Sequence, residues 1–158
     1  EADNGIFSVF NPALGVSQPQ NISSVVDMDG VEVEAAARLA DWLDMTIAYT
    51  NARSVQVSNG QQLFGRPEHE FSIALTARPT ELLSLTIDGY ARSDFLSDYP
   101  STFEMSGFEV FNTSARYQLT DSVTLQGSVK NILDTDYEYK LGDGTYGRTF
   151  DVRVSVQF

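Results

Sequence analysis

The amino-acid sequence predicts an all-β chain that folds as an antiparallel, up-and-down meander. Apolar residues recur at every second position over eight segments, which is the period of a β-strand with one apolar and one polar face. The connections between these segments alternate short and long, as a meander with two different ends requires. Away from the segment ends, no charged residue occurs on the apolar face of any segment. The eight predicted strands are residues 5–11, 30–41, 43–50, 70–78, 83–92, 111–119, 123–129 and 149–158.

The last predicted strand shows the pattern most clearly. Polar or charged residues, among them Asp151 and Arg153, fill the positions between the apolar ones, and the chain ends on the aromatic Phe158. The alternation therefore predicts a strand with one face suited to water and one suited to an apolar environment. The apolar positions are Phe150, Val152, Val154, Val156 and Phe158.

The connections predict a molecule with two unlike ends. Tight turns are expected at residues 40–43, 79–81 and 120–121, and long loops at about 51–66, 93–107 and before residue 149. Counting back from Phe158, all three tight turns lie at the end where the chain terminates. In outer-membrane barrels, that end faces the periplasm and the long loops are extracellular.

Periodicity alone does not decide whether the apolar faces meet lipid or a protein core. Small residues such as Ala35, Gly89 and Ala115 on those faces would pack a core poorly, whereas acyl chains tolerate them. Aromatic residues collect toward the strand ends, as they do at membrane interfaces. The alternation extends over about ten residues per strand, the length of a tilted membrane strand. These features favour contact with lipid.

Composition narrows the possible classes of protein. The 158 residues suit one domain, and no apolar run is long enough for a transmembrane helix. The absence of cysteine excludes thiol catalysis, disulfides and thiolate metal sites, and the net charge of −12 argues against nucleic acid as a partner. No signal peptide is recognisable, and the sequence opens almost inside a strand, so we expect a mature product or a fragment, with fragment favoured.

The residues near the C-terminus resemble those of TonB-dependent outer-membrane receptors. The segment VKNILDTDYEY, followed by a turn at residues 146–148 and a final strand ending in an aromatic residue, is similar to the family's "V.NLFD..Y" hairpin, with Ile-Leu where Leu-Phe is commoner. Residues 30–34, 49–52 and 66–69 resemble the family's "G.E.E", "NYT" and "RPxH" blocks. The residues that match the hairpin pattern are Val129, Asn131, Ile132, Leu133, Asp134 and Tyr137.

This resemblance implies a fold and a function. The fold is an antiparallel transmembrane β-barrel of about 22 strands, of which residues 1–158 would form the C-terminal eight or so, without the plug domain. The implied function is TonB-energised uptake of a scarce ligand, a ferric siderophore, across the bacterial outer membrane, with no catalysis and no cofactor. The implied partners are outer-membrane lipid, the missing strands and plug, TonB, the barrel-assembly machinery and an extracellular small molecule.

The same resemblance suggests which residues carry the function. Cationic side chains on the polar faces would line the lumen and meet the plug or the ligand; they are Arg38, Arg78, Arg92, Arg116, Lys130 and Arg153. Aromatic residues in the long loops are candidates for contact with an extracellular ligand; they are Tyr99, Phe103, Tyr137, Tyr139 and Tyr146. Phe158 would be the signal that the assembly machinery recognises.

Other hypotheses remain open at this point. A self-contained eight-stranded outer-membrane barrel with a structural or adhesive role would require its first and last strands to pair. A soluble β-sandwich or lipocalin-like binder would require the apolar faces to point inward. Asp134, Asp136 and Glu138 are spaced like the start of a calcium loop, but the glycine and glutamate that such a loop needs further on are missing, so a solvated acidic loop is favoured. His69, the only histidine, is interpreted as part of a strand entry.

Overall fold

The computed structural model describes residues 5–22, 25–63, 65–97 and 103–158, and these residues form β-strands and connecting segments. Among them, no helix is long and apolar enough to span a membrane. The strands are β1 (Gly5–Asn11), β2 (Val16–Ile22), β3 (Val26–Ala40), β4 (Leu43–Gln56), β5 (His69–Thr80), β6 (Leu83–Arg92), β7 (Phe95–Leu96), β8 (Glu104–Met105), β9 (Phe108–Thr120), β10 (Val123–Lys130) and β11 (Thr149–Val156).

Seven of these strands form one antiparallel sheet in the order β11-β10-β9-β6-β5-β4-β3. Each strand pairs with the preceding and following strand of the meander, so the predicted all-β, up-and-down topology is confirmed. The described part of β3 and that of β11 do not pair with each other, and the sheet is open. An open sheet is what a segment of a larger barrel gives, and it contradicts the self-contained eight-stranded barrel.

The two ends of the sheet differ as the sequence predicts. Two-residue turns at 41–42, 81–82 and 121–122 join strands at one end, which we call the turn end. The segments 57–68, 93–107 and 131–148 join strands at the other end, which we call the loop end. The segment 93–107 carries the short ribbon of β7 and β8, and β1 and β2 form a separate hairpin.

Several predicted boundaries are wrong. Residues 51–56 belong to β4 rather than to a loop, β3 begins at Val26 rather than at residue 30, and β9 begins at Phe108 rather than at residue 111. Residues 16–22, which are not among the predicted strands, form β2, in which Pro19 pairs with Ser8. Proline is tolerated there because β2 has only one neighbour in the described structure, so no second strand needs its missing N–H.

The register places all apolar stripes on one face, which is exposed. Ile87 lies between Leu75 of β5 and Thr113 of β9, and Val152 lies beside Gly127 of β10. The exposed fraction of Ile87 is 45% and that of Val152 is 81%. No second layer of the described chain covers this face. The soluble alternative, with these residues in a shared dry interior, is therefore wrong, and the apolar face is one that requires lipid.

The opposite, polar face is also largely open, and the hydrophobic core is small. It is confined to the loop end, where loop segments fold back on the polar side of the strands. Its members are Val26, Leu63, Phe95, Met105, Phe108 and Val110. The sheet thus presents a charged wall along its length and a compact cluster of side chains only at the loop end.

Candidate functional site

The six cationic candidates all lie on the polar face, but they occupy three levels. Arg38 and Arg78 are at the turn end, where both pair with Asp44; the Arg38 Nε–Asp44 Oδ1 distance is 3.2 Å. These groups are well exposed, and such pairs contribute little to stability. We therefore assign Arg38 and Arg78 to an ion-pair network of the wall rather than to the loop-end cluster.

Arg116 and Arg153 lie midway between the turn end and the loop end. Arg116 of β9 and Arg153 of β11 are the register partners of Gln126, which lies between them in β10. Neither forms an ion pair with another described residue. Arg153 and Lys130 share a polar cleft of about 450 Å³ along β10 and β11, together with Asp151.

The segment 131–148 is held by two side chains of the recognised motif. Asn131 is only 2% exposed and adopts a left-handed backbone (φ 51°). Its Nδ2 donates to the Thr135 carbonyl (2.8 Å), and its Oδ1 accepts from the Thr135 N–H (2.9 Å). Asp134 Oδ1 accepts from the Arg148 N–H (2.6 Å) at the far end of the segment. The motif therefore has a structural role, closing the base of the loop.

Hydrogen bonds also order the tip of this segment. The Thr145 hydroxyl donates to the Tyr137 carbonyl (2.6 Å), and a Glu138 carboxylate oxygen accepts from the Gly142 N–H (3.1 Å). Asp134 and Glu138 thus brace the backbone. Among the described residues, no group of three or more His, Cys, Asp or Glu side chains is arranged to hold a metal ion.

Four of the candidates chosen from the sequence converge on one cavity of about 560 Å³ at the loop end. We call it the tyrosine cavity. Among the described residues, its wall contains one cationic side chain and no carboxylate, in a chain whose net charge is −12. Its volume is within the range of small-molecule sites. The lining residues are Tyr90, Val110, Asn112, Lys130, Asn131, Tyr137, Tyr139, Gly144, Thr145, Tyr146, Gly147 and Thr149.

An aromatic cluster supports one wall of this cavity. The Phe108 ring centroid lies 4.3 Å from that of Tyr137, 5.3 Å from that of Tyr139 and 5.9 Å from that of Tyr90. Partial burial, together with the neighbouring Tyr137 hydroxyl, raises the pKa of Tyr139.

The remaining candidates are placed around this site. Phe103 and Tyr137 line an adjoining cavity of about 330 Å³. Tyr99 lies outside the described residues. Phe158 follows the end of β11 and is fully exposed. His69 accepts or donates a 2.9 Å hydrogen bond with the Tyr49 hydroxyl at the loop end, consistent with a role in strand entry.

Sequence reasoning missed Tyr90 and Phe95 as parts of the site. Tyr90 lies at a polar-face position next to Arg92, and an aromatic ring on a polar stripe is the signal that could have identified it. Phe95 contacts Arg92 after a turn of the chain, in a segment expected to be an acidic loop. No pattern in the sequence marks that contact.

Comparison with known proteins agrees with this architecture. A family profile described as "TonB dependent receptor-like, beta-barrel" matches residues 1–132. Among solved structures, the copper transporter OprC aligns with a TM-score of 0.78 at 20% identity, over 99% of this chain and 27% of that one. The ferric-catecholate import receptor Fiu from E. coli K12 gives 0.75 at 17% identity, over 99% and 24%.

The ferric yersiniabactin uptake receptor FyuA from Yersinia pestis gives a TM-score of 0.77 at 17% identity, over 88% of this chain and 25% of that one. The chain thus spans about a quarter of the length of the solved structures that it matches. At these identities the structures show a shared fold, while the profile match, which covers most of the residues, shows the family. This chain therefore belongs to the family of TonB-dependent receptor β-barrels, proteins of the bacterial outer membrane.

Proposed function

We propose that residues 1–158 are a C-terminal part of the barrel of a TonB-energised receptor that imports a ferric siderophore. In this assignment the polar face lines the lumen, the loop end is extracellular and the turn end is periplasmic. A plug domain, the remaining strands and TonB itself complete the transporter. The chain contributes wall and ligand-facing loops, and it catalyses no reaction.

The tyrosine cavity is the observation that carries the ligand proposal. It opens on the lumen side of the extracellular end, where an incoming ligand first meets the barrel. Ferric siderophores are commonly anionic and offer many oxygen acceptors. The Lys130 ammonium, the tyrosine hydroxyls and the aromatic rings supply charge, donors and flat contact surface for such a ligand. A wall without carboxylates avoids repulsion that the rest of this acidic chain would impose.

Uptake by the complete receptor tests this function. A strain that lacks its other siderophore receptors and produces this one should take up one class of ⁵⁵Fe–siderophore, and uptake should stop when TonB is deleted. Uptake that persists without TonB, or transport of copper with no iron chelate transported, would refute the proposal.

Lys130→Gln should raise the Kd for the transported siderophore by about 10-fold to 100-fold, because a charge-assisted hydrogen bond contributes about 1.5–3 kcal/mol and 1.4 kcal/mol corresponds to a factor of ten. Quenching of intrinsic fluorescence in the purified receptor measures the Kd. Lys140→Gln removes the same charge from an exposed position of the same loop that does not line the tyrosine cavity, and it should leave the Kd within twofold. Equal effects of the two variants would show that only net charge matters.

Phe158 is proposed as the assembly signal. Phe158→Ala should reduce several-fold the amount of folded barrel in the outer membrane, because the side chain makes no stabilising contact in the sheet yet is the terminal aromatic of the family pattern. Heat-modifiable mobility in gel electrophoresis of outer-membrane fractions measures the folded amount. Gln157→Ala is the neighbouring control, and similar losses in both variants would count against a specific signal.

A further inference from the structure

Arg92 occupies a cage of aromatic rings at the loop end. It is the last residue of β6, and its guanidinium carbon lies 4.3 Å from the centroid of the Phe95 ring. The corresponding distances are 4.5 Å for Phe108 and 5.3 Å for Tyr139. Cations within about 6 Å of a ring centroid are attracted by the negative face of the ring. The three rings come from three different segments of the chain.

The same guanidinium reaches the backbone of the last loop. Arg92 Nη2 donates to the Glu138 carbonyl (2.7 Å) and to the Tyr139 carbonyl (3.2 Å). Arg92 and Phe95 belong to β6 and to the segment 93–107, whereas residues 138 and 139 belong to the segment 131–148. One side chain therefore connects the two loops, through a contact between residues that are 46 positions apart in sequence.

In the part of the chain that the structure describes, no carboxylate accounts for the position of Arg92. Glu70 is its register partner in β5, but the Glu70 carboxylate accepts a hydrogen bond from the Tyr90 hydroxyl instead. Among the described residues, Arg92 forms no ion pair. Its Nε–H is buried without an acceptor, which is an unfavourable state for a donor. Within the described ranges, the guanidinium is held by aromatic rings and carbonyl dipoles, at the contact between the two loops.

We propose that Arg92 is a positioning residue that latches the segment 131–148 onto the β7–β8 side of the loop end. The latch fixes Tyr137 and Tyr139, which form one wall of the tyrosine cavity, before any ligand arrives. A preformed wall lowers the conformational entropy that binding must overcome. The consequence for affinity rests on the proposed function, whereas the latch itself does not.

Amide hydrogen exchange in the complete, ligand-free receptor tests the latch. Arg92→Gln should accelerate exchange of the amides of Gly142 and Asp143, which donate to the Glu138 carboxylate and the Lys140 carbonyl, at least tenfold, while amides in the strands β5, β6 and β9 keep their protection. Arg66→Gln removes a cation from an exposed position in another loop at the same end, and it should change none of these rates. Because no ligand is present, a mistaken ligand class does not affect the result.

Two further variants separate a latch from a general structural role. Phe95→Leu removes a ring of the cage without touching the tyrosine cavity, and it should accelerate exchange of the same amides by a smaller factor than Arg92→Gln. Arg92→Lys keeps the charge and should restore part of the protection, since an ammonium retains the cation–π attraction but cannot reproduce the planar fork of donors.

The affinity of these variants for the ligand should fall as amide exchange in the loop accelerates. If the transported siderophore binds as proposed, Arg92→Gln should raise its Kd about tenfold with an unchanged amount of folded receptor. Wild-type exchange rates at Gly142 and Asp143 in Arg92→Gln would overturn the latch, and so would a uniform acceleration that includes the strands. Faster amide exchange in this loop with an unchanged Kd would support the latch and contradict its role in ligand binding.

Discussion

The substitution Ile87→Arg is expected to remove most of the folded receptor from the outer membrane. Ile87 lies in the middle of β6, the central strand of the seven, with Leu75 and Thr113 on either side, and its side chain is on the exposed apolar face. A charge on the lipid face near the midplane of a barrel costs about 2–4 kcal/mol. That cost corresponds to a shift of about 30-fold to 900-fold in the ratio of folded to unfolded barrel.

The adjacent residue supplies the matched control. Thr86 points to the polar face, where its hydroxyl lies 3.1 Å from that of Thr76. Thr86→Arg introduces the same side chain one residue away but on the polar face, so it should cost only the lost hydrogen bond, about 0.5–1.5 kcal/mol. Heat-modifiable mobility and urea titration in lipid vesicles measure both variants. A Thr86→Arg barrel as poorly folded as Ile87→Arg would mean that the faces are assigned wrongly.

The alternation that predicts this result also defined most of the fold, because a strand between lipid and water must keep period 2. In β5 and β6 the predicted and observed strands nearly coincide, because the alternation and the strand pairing end within two residues of each other. The failure to predict residues 51–56 as part of β4 has the same cause. This part of β4 carries Asn51 and Arg53 on the face that is apolar nearer the turn end. Above the hydrocarbon both faces of a strand meet water, and the periodic signal disappears although the pairing continues.

The sequence allowed us to predict which residue types form the site, but not which residues they contact. Lys130, Tyr137, Tyr139 and Tyr146 were candidates because cations and aromatic residues suit ligand binding, and the loop conformation brings all four to one cavity. The partners of Arg92 were not predictable, since they depend on how two loops fold over each other. Such long-range contacts between irregular segments leave no periodic trace in a sequence.

Loss of the Asn131 side chain is expected to open the base of the last loop. In Asn131→Ala the Thr135 N–H and carbonyl both lose their partners, and each lost hydrogen bond costs about 0.5–1.5 kcal/mol. Alanine is also disfavoured in the left-handed backbone of this position by about 1–2 kcal/mol. The free energy of opening this loop should fall by about 2–5 kcal/mol.

The Thr135 amide reports this opening directly, because the Asn131 carboxamide accepts its hydrogen bond. Its hydrogen exchange should accelerate at least 30-fold in Asn131→Ala, with most strand amides unchanged. Asn131→Gly tolerates the left-handed backbone but lacks the side chain, so it should retain about 1 kcal/mol more protection than alanine. Equal rates in the two variants would show that backbone strain contributes nothing. Wild-type protection in both would mean that the loop is held by other contacts, and the structural role assigned to the motif would then be wrong.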